Sequence, residues 1–252
     1  MKQINVLKTV EADESLPQLQ LSDINAIADI SNWLTYIDAS ITDQKKILNR
    51  ASGNAIENTA SNQAYPTVVE QNGNKWFSLD RVTVPRFYSD VGFDPSLGVT
   101  VFGVVKPEVT GTDVVGAIVT SNTLFSGQTD STINLALNLN TGNRVFSTRF
   151  GGLANGTVSS TLYQEGSFAN KVGLYLATFH PTRGAKLYID GALVQEKPTA
   201  IPINKEFGVG EFQWMTNFKG LVGCVGMINS DLSESAENLS KLQNFLKEKF
   251  KI

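Results

Sequence analysis

Thr132-Ile-Asn-Leu-Ala-Leu-Asn-Leu139 alternates without a break. Ile133, Leu135, Leu137 and Leu139 fall on one side, and Thr132, Asn134, Ala136 and Asn138 on the other. A sustained period of two makes a strand with one buried face, because successive Cβ atoms of an extended chain point to opposite sides. The segment Asn140-Thr-Gly-Asn143 has turn chemistry and leads into Arg144–Phe150, which reads as the hairpin partner. Asp190-Gly191 is a second hairpin signal, since both turn positions must tolerate positive φ.

Comparable runs recur on both sides of this hairpin. They are Thr67–Glu70, Lys75–Leu79, Val99–Lys106, Val114–Thr120, Thr157–Tyr163, Val172–His180, Ala185–Asp190, Ala192–Gln195, Glu206–Gly210 and Leu221–Ile228. About twelve short strands broken by Gly, Asn, Pro and Asp predict two packed antiparallel sheets or a barrel. No strand–helix–strand alternation appears, which argues against a parallel α/β fold.

The two ends differ from the middle. Residues 1–20 read as a polar arm or a first edge strand. Ser22-Asp23 opens a short helical stretch with Ile24, Ile27 and Ala28 on one face. Trp33–Ile37 has strand composition, and Asp38–Ser61 reads mostly as loop. At the other end, Asp231 or Ser233 is expected to cap a helix, with Glu234 and Glu237 near its positive end. Leu239, Leu242, Phe245, Leu246 and Phe250 form its apolar face, and Lys241, Lys247, Lys249 and Lys251 load its negative end. The expected organisation is an arm over residues 1–30, an all-β sandwich over 31–230, and a helix over 231–252 docked on it.

Composition narrows the chemistry. Charged residues are 18% of 252, below the roughly one quarter of ordinary globular chains, while Ser, Thr and Asn are abundant. The single Cys224 excludes an internal disulfide or a Cys-rich zinc site. The single His180 is the only imidazole available to any nucleophile–base scheme. A net charge of -3 argues against general affinity for nucleic acid or acidic membranes. No apolar stretch approaches the roughly 18 residues of a membrane span. The start, MKQINVLKTVEADESLPQ, has no apolar core or cleavage-like site, so cytoplasmic synthesis without a secretion signal is expected.

A particular order of features runs through the chain. Trp33…Asp38 precedes a polar loop, then Pro66, then Asn72-Gly-Asn74-Lys75 before a strand ending at Asp80. Val99-Thr-Val-Phe-Gly-Val-Val105 follows. Later come the hairpin Lys186-Leu-Tyr-Ile-Asp-Gly-Ala-Leu-Val194, then Phe218-Lys-Gly220 opening a last strand, then the closing helix. This order resembles the concanavalin A-like/laminin G-like jelly-roll superfamily over roughly residues 31–252, especially the forms found in bacteriophage virion and tail proteins and in some bacterial surface proteins. The resemblance implies an antiparallel jelly-roll β-sandwich. Members of that superfamily bind glycans or proteins, hydrolyse polysaccharides or build particle surfaces, so fold alone does not settle function.

Retaining glycosidases on this fold need two carboxyl groups about 5–5.5 Å apart. Residues two apart on a strand would share a face and meet that need. Glu11 and Asp13, in the N-terminal arm, are the only acidic pair with that spacing. Glu206 and Glu211 are five apart and would face opposite ways on a regular strand. His180 reads as a strand-end residue facing water or satisfying a backbone group. Cys224, between Gly223 and Val225, reads as a small buried hydrophobe. Phe150-Gly-Gly-Leu-Ala-Asn-Gly156 has no following Lys or helix, so it reads as a turn, not a phosphate loop.

Binding chemistry has better candidates. Glu211-Phe-Gln-Trp-Met-Thr-Asn-Phe218 reads as a loop-like aromatic segment, and Arg86-Phe-Tyr88 with Phe93 as another connection. Phe212, Trp214, Asn217, Arg86 and Tyr88 are therefore the candidate ligand- or partner-binding residues, with a core role as the alternative. Trp33 and Trp76 read as core. No cofactor is expected. Calcium is left open at Ser89-Asp90 with Asp94, at Thr112-Asp113 and at Gln128-Thr-Asp130, where ordinary Asx-turn chemistry is the competing account. The expected function is a non-catalytic phage virion or tail surface protein that contributes to particle structure or host-surface attachment. A lectin-like carbohydrate-binding module is the alternative, and a polysaccharide-cleaving enzyme with a non-standard site the second alternative. Expected partners are other virion or tail proteins, or host-surface glycans, with the chain a homo-oligomer or assembly component in a virion.

Overall fold

The computed structural model describes residues 26–40, 42–43, 46–53, 55–58, 65–80, 87–92, 94–108, 116–121, 123–124, 132–133, 136–140, 145–152, 158–165, 168–198, 200, 209–215 and 218–252. Every strand pair among them is antiparallel. The first sheet runs, edge to edge, through β17 (Ala192–Lys197), β16 (Gly184–Ile189), β15 (Gly173–His180), β8 (Val99–Pro107), β19 (Gly220–Ile228), β6 (Asn74–Leu79) and β5 (Thr67–Gln71). β1 (Trp33–Asp38) pairs with the far half of β19. The second sheet runs through β14 (Val158–Glu165), β13 (Val145–Gly152), β12 (Ala136–Asn140), β9 (Gly116–Ser121), β18 (Val209–Trp214), β7 (Phe87–Gly92), β4 (Ala55–Asn58), β3 (Lys46–Leu48) and β2 (Thr42–Asp43). A small ribbon joins β10 (Thr123–Leu124) to β11 (Thr132–Ile133). The chain is an antiparallel β-sandwich with one C-terminal helix.

The central strands of the first sheet are buried on both faces. From β8, Val99, Val101 and Val105 enter the core between the sheets, while Phe102 and Val104 enter a second apolar cluster. β15 divides the same way, with Tyr175, Ala177 and Phe179 inside and Leu174 and Leu176 in the second cluster. Ile118 from β9, Leu162 from β14 and Trp214 from β18 complete the inner core. The second cluster is covered by Leu232, Leu242, Leu246 and Phe250 from the C-terminal segment and by Ile27 and Ile30.

The cover depends on a local irregularity. In the β19–β8 ladder Val222 opposes Val105 and Cys224 opposes Val104, so Gly223 is the extra residue of a bulge. A Cβ at Gly223 would lie 2.4 Å from Phe250 Cε1. The missing side chain is the space the Phe250 ring occupies, and Trp76 meets that ring edge-on at 5.2 Å between centroids.

The C-terminal helix spans Ala236–Phe250. Its cap is Ser235, whose Oγ accepts the Asn238 N–H at 3.3 Å, and not the expected Asp231 or Ser233. Asp231 caps a preceding single 3-10 turn, Leu232–Glu234, by accepting the Ser233 N–H at 3.0 Å. That turn places Leu232 in the outer cluster before the helix starts. Leu242, Leu246 and Phe250 are buried, and Leu239 and Phe245 pack at the margin, as the apolar face predicts.

Other expectations needed revision. Residues 26–30 form a turn, closed by the Ile30 N–H on the Ile27 carbonyl at 3.2 Å, and Ala28 is exposed. Ser22, Asp23 and Ile24 lie outside the described residues. The supposed loop 38–61 contains β2, β3 and β4. The 86–88 connection gives way to strand β7 from Phe87 onward. β18, at Val209–Trp214, overlaps the end of the strand expected at Glu206–Gly210, of which 206–208 lie outside the described residues, and runs on into the supposed aromatic loop. The opening octapeptide is assigned to two strands, β11 and β12, with 134–135 outside the described residues. β12 does pair with β13, Asn140 opposing Val145, as the hairpin reading requires. Asp190 (φ 51) and Gly191 (φ 88) take the left-handed turn predicted between β16 and β17.

Phe250→Ala should cost about 3–5 kcal/mol in urea unfolding. Gly223→Ala should also destabilise, because its methyl meets the ring. The double variant should lose clearly less than the sum of the two, and strict additivity would disprove the ring-in-bulge fit.

Candidate functional site

The strand pair β7–β18 brings two of the predicted binding residues into adjoining register. Phe212 opposes Ser89, and Gln213 opposes Tyr88. Trp214 opposes Phe87 on one side and Val119 on the other, and is fully buried in the core between the sheets. The chain then turns at Met215 (φ 56), whose N–H donates to the Ile118 carbonyl at 2.8 Å. The Phe218 N–H closes the turn on the Met215 carbonyl at 3.3 Å. Met215 and Phe218 are buried with Trp214. A ring without exposed surface cannot stack on a ligand, so Trp214 is a core residue in this fold, not a platform. Asn217 and Arg86 lie outside the described residues. The alternation Glu211-Phe-Gln-Trp214 was the signal that this segment is a strand with an inward-facing tryptophan.

Trp76 is fully buried and Trp33 half-buried, both against the outer cluster. His180 ends β15. Its Nδ1 accepts the Thr182 backbone N–H at 3.2 Å and lies 2.9 Å from Thr182 Oγ1. Burial and then the Arg183 charge hold its pKa below the ordinary 6.5, against the pull of Asp231 and Glu234. Cys224 is buried, and burial followed by the Asp38 charge pushes its thiol pKa well up. It is a protonated thiol at neutral pH, not a nucleophile. Asp94 Oδ1 accepts the Ser96 N–H at 2.9 Å and the Ser96 hydroxyl at 2.6 Å, which is turn chemistry. Asp113 and Asp130 lie outside the described residues. Among the described residues no group of three or more His, Cys, Asp or Glu side chains is arranged to hold a metal ion.

The strongest electrostatic arrangement was not anticipated. Asp38, at the end of β1, is 2% exposed. Its Oδ2 accepts from Tyr36 Oη at 3.2 Å, from Arg50 at 3.2 Å and from Lys249 of the C-terminal helix. Its Oδ1 takes the Ser40 N–H at 2.8 Å. Burial alone would raise the Asp38 pKa, but the Lys249 charge and hydrogen bond, with the Ser40 contacts, outweigh it and hold the carboxyl below 3.8. Burial and then the Asp38 charge push the Tyr36 hydroxyl well up. Asn49 continues the network, taking the Tyr36 N–H at 3.0 Å and donating to the Leu34 carbonyl at 2.9 Å. The Arg50 N–H donates to the Tyr36 carbonyl at 2.8 Å. The segment after β3 thereby satisfies the open edge of β1. A carboxylate held by two cations and a phenol is a clamp, not a catalytic base. Lys249 lies 211 positions from Asp38, and no sequence spacing relates them.

No protein-family model and no curated protein sequence matches the chain. Solved structures do resemble it. The binding domain of botulinum neurotoxin serotype D matches with a TM-score of 0.56 at 13% identity, over 88% of this chain and 53% of that one. The botulinum neurotoxin type G receptor-binding domain matches at 0.55 and 13%, over 86% and 52%. The binding domain of Paraclostridial Mosquitocidal Protein 1 matches at 0.56 and 14%, over 84% and 52%. A Trypanosoma rangeli sialidase matches at 0.50 and 10%, over 90% of this chain and 38% of the enzyme. The chain spans about half the length of the binding domains it matches. At these identities the likeness establishes the β-sandwich fold.

Trp214→Ala should destabilise by about 3–5 kcal/mol, as truncation of a core aromatic does. Retained stability in chemical unfolding would reject the core assignment. Asp38→Asn should cost about 3–5 kcal/mol, because it strands Lys249 and Arg50. The folded pKa of Asp38 lies below its unfolded value, so its contribution is present above about pH 3.9 and is lost as pH falls through the lowered value. The acid limb of wild-type stability should therefore be flatter in Asp38→Asn.

Proposed function

We propose that this chain is a non-catalytic binding module, carried on a bacteriophage virion or tail, that attaches the particle to a host surface or helps to build it. The observation that carries the reading is the sandwich itself. Its fold follows receptor-binding and binding domains of several toxins over 84–88% of the chain. The phage setting rests on the order of sequence features from Trp33 to the closing helix. A non-catalytic role is supported by the state of the reactive groups among the described residues. His180 Nδ1 is engaged by Thr182, the Cys224 thiol is buried, and the Asp38 carboxylate is clamped. The sialidase likeness adds fold alone and no active site.

Host-surface glycan is the ligand class we put forward. Tyr88 is retained as a candidate contact by its register position opposite Gln213, on the face of the β7–β18 pair away from Trp214, whereas the register puts Phe212 on the Trp214 face. The test is the full chain on an array of bacterial envelope sugars and on intact cell envelopes, with released reducing ends measured in parallel. Saturable binding without turnover is expected. Turnover of a polymer would overturn the non-catalytic reading, and no binding to any envelope at high protein concentration would overturn attachment.

A further inference from the structure

The chain has one histidine, and it sits at a joint between two elements. His180 forms the last rung of β15, opposite Gly184 of β16. The intervening turn is closed twice. The Arg183 N–H donates to the His180 carbonyl at 3.3 Å, and the Thr182 N–H donates to the ring at Nδ1. Nδ1 must be unprotonated to accept that bond. Arg183, next in the turn, reaches the 3-10 segment after β19. Its Nε lies 2.9 Å from Glu234 Oε1, and its terminal nitrogen 3.9 Å from Asp231 Oδ2. The charged groups facing the imidazole are thus Arg183 on its own turn, and Asp231 and Glu234 on the packed segment.

Asp231 links this joint to a neighbouring loop. Its N–H donates to the Leu97 carbonyl at 3.2 Å. The buried Asn229 side chain takes the Asp94 N–H at 2.7 Å and donates to the carbonyls of Asp94 and Gly98 at 2.7 and 2.9 Å. The loop so held presents Leu97, 48% exposed.

We propose that His180 is an acid-responsive joint: protonation removes the ring acceptor that closes the 180–183 turn, beside the Arg183 bridge to Glu234 and Asp231. In the neutral state Arg183 holds the 3-10 segment and the Thr182 N–H holds the ring. In the charged state Nδ1–H is a donor, which the Thr182 hydroxyl at 2.9 Å can accept, and the Thr182 N–H is released. The folded pKa lies below the ordinary 6.5, so the neutral arrangement is stable above that value. It is lost as pH falls through the lowered one.

The test is NMR of the full chain between about pH 7.5 and about pH 4.5, the window in which imidazoles titrate. The His180 ring should titrate below 6.5, the ordinary value. The Thr182 amide should move with the same midpoint. His180→Asn offers Thr182 an acceptor that does not titrate, so that amide should become flat with pH. Arg183→Gln removes the repelling cation and should move the ring midpoint upward. A Thr182 amide that stays still while the ring titrates would overturn the proposal. So would the same transition persisting in His180→Asn, or an unmoved midpoint in Arg183→Gln.

Discussion

β8 and β19 bury side chains on both faces, and everything outside the sandwich follows from covering the second one. Phe102, Val104, Cys224 and Ile228 would lie on an open sheet surface without a lid. Each large apolar side chain returned to water costs about 1.5–3 kcal/mol. The C-terminal helix and the turn around Ile27 and Ile30 supply that lid. The bulge at Gly223 is the matching feature in the sheet, since a regular strand with a side chain there would hold Phe250 away from Trp76.

The Asp38 clamp sits at the edge of this lid. A single buried carboxylate is unfavourable by several kcal/mol, so it persists only with partners arriving from different elements. Lys249 comes from the last helical turn, Arg50 from the segment after β3, and Tyr36 from the same strand as Asp38. The Arg50 guanidinium stands 5.6 Å over the Tyr36 ring, and the Lys249 ammonium lies within 6 Å of two phenylalanine rings. Dispersion and cation–π contact therefore offset part of the desolvation. The cluster ties the lid to β1 and to the strands that begin the second sheet. Helix docking and sheet closure are one arrangement.

His180, Cys224 and Asp38 are committed to a turn, the core and the clamp. The Asn229 network holds the Asp94–Gly98 loop in one shape, so the exposed Leu97 is presented without an entropic cost of ordering on contact.

Much of the fold was readable because it rests on local periodicity. The β12–β13 hairpin, the Asp190-Gly191 turn and the apolar face of the closing helix each depend only on the preferences of neighbouring residues. The misreadings arose where local signals were weak. β2 to β4 are only two to four residues long, and β18 was hidden by its aromatic content. The burial of Trp214 depends on strands β7 and β9, more than a hundred and about ninety positions away, so its ring read equally well as platform or core.

The sequence by itself determined that strands alternate in and out, where they turn, and that a helix with one apolar face ends the chain. These are consequences of backbone geometry acting over a few residues. Only the tertiary structure decided that Phe250 fits over Gly223, that Lys249 meets Asp38, and that Arg183 bridges to Glu234 and Asp231. Those contacts join residues that sequence spacing does not relate, and they form only when two sheets and a helix have already chosen their common register.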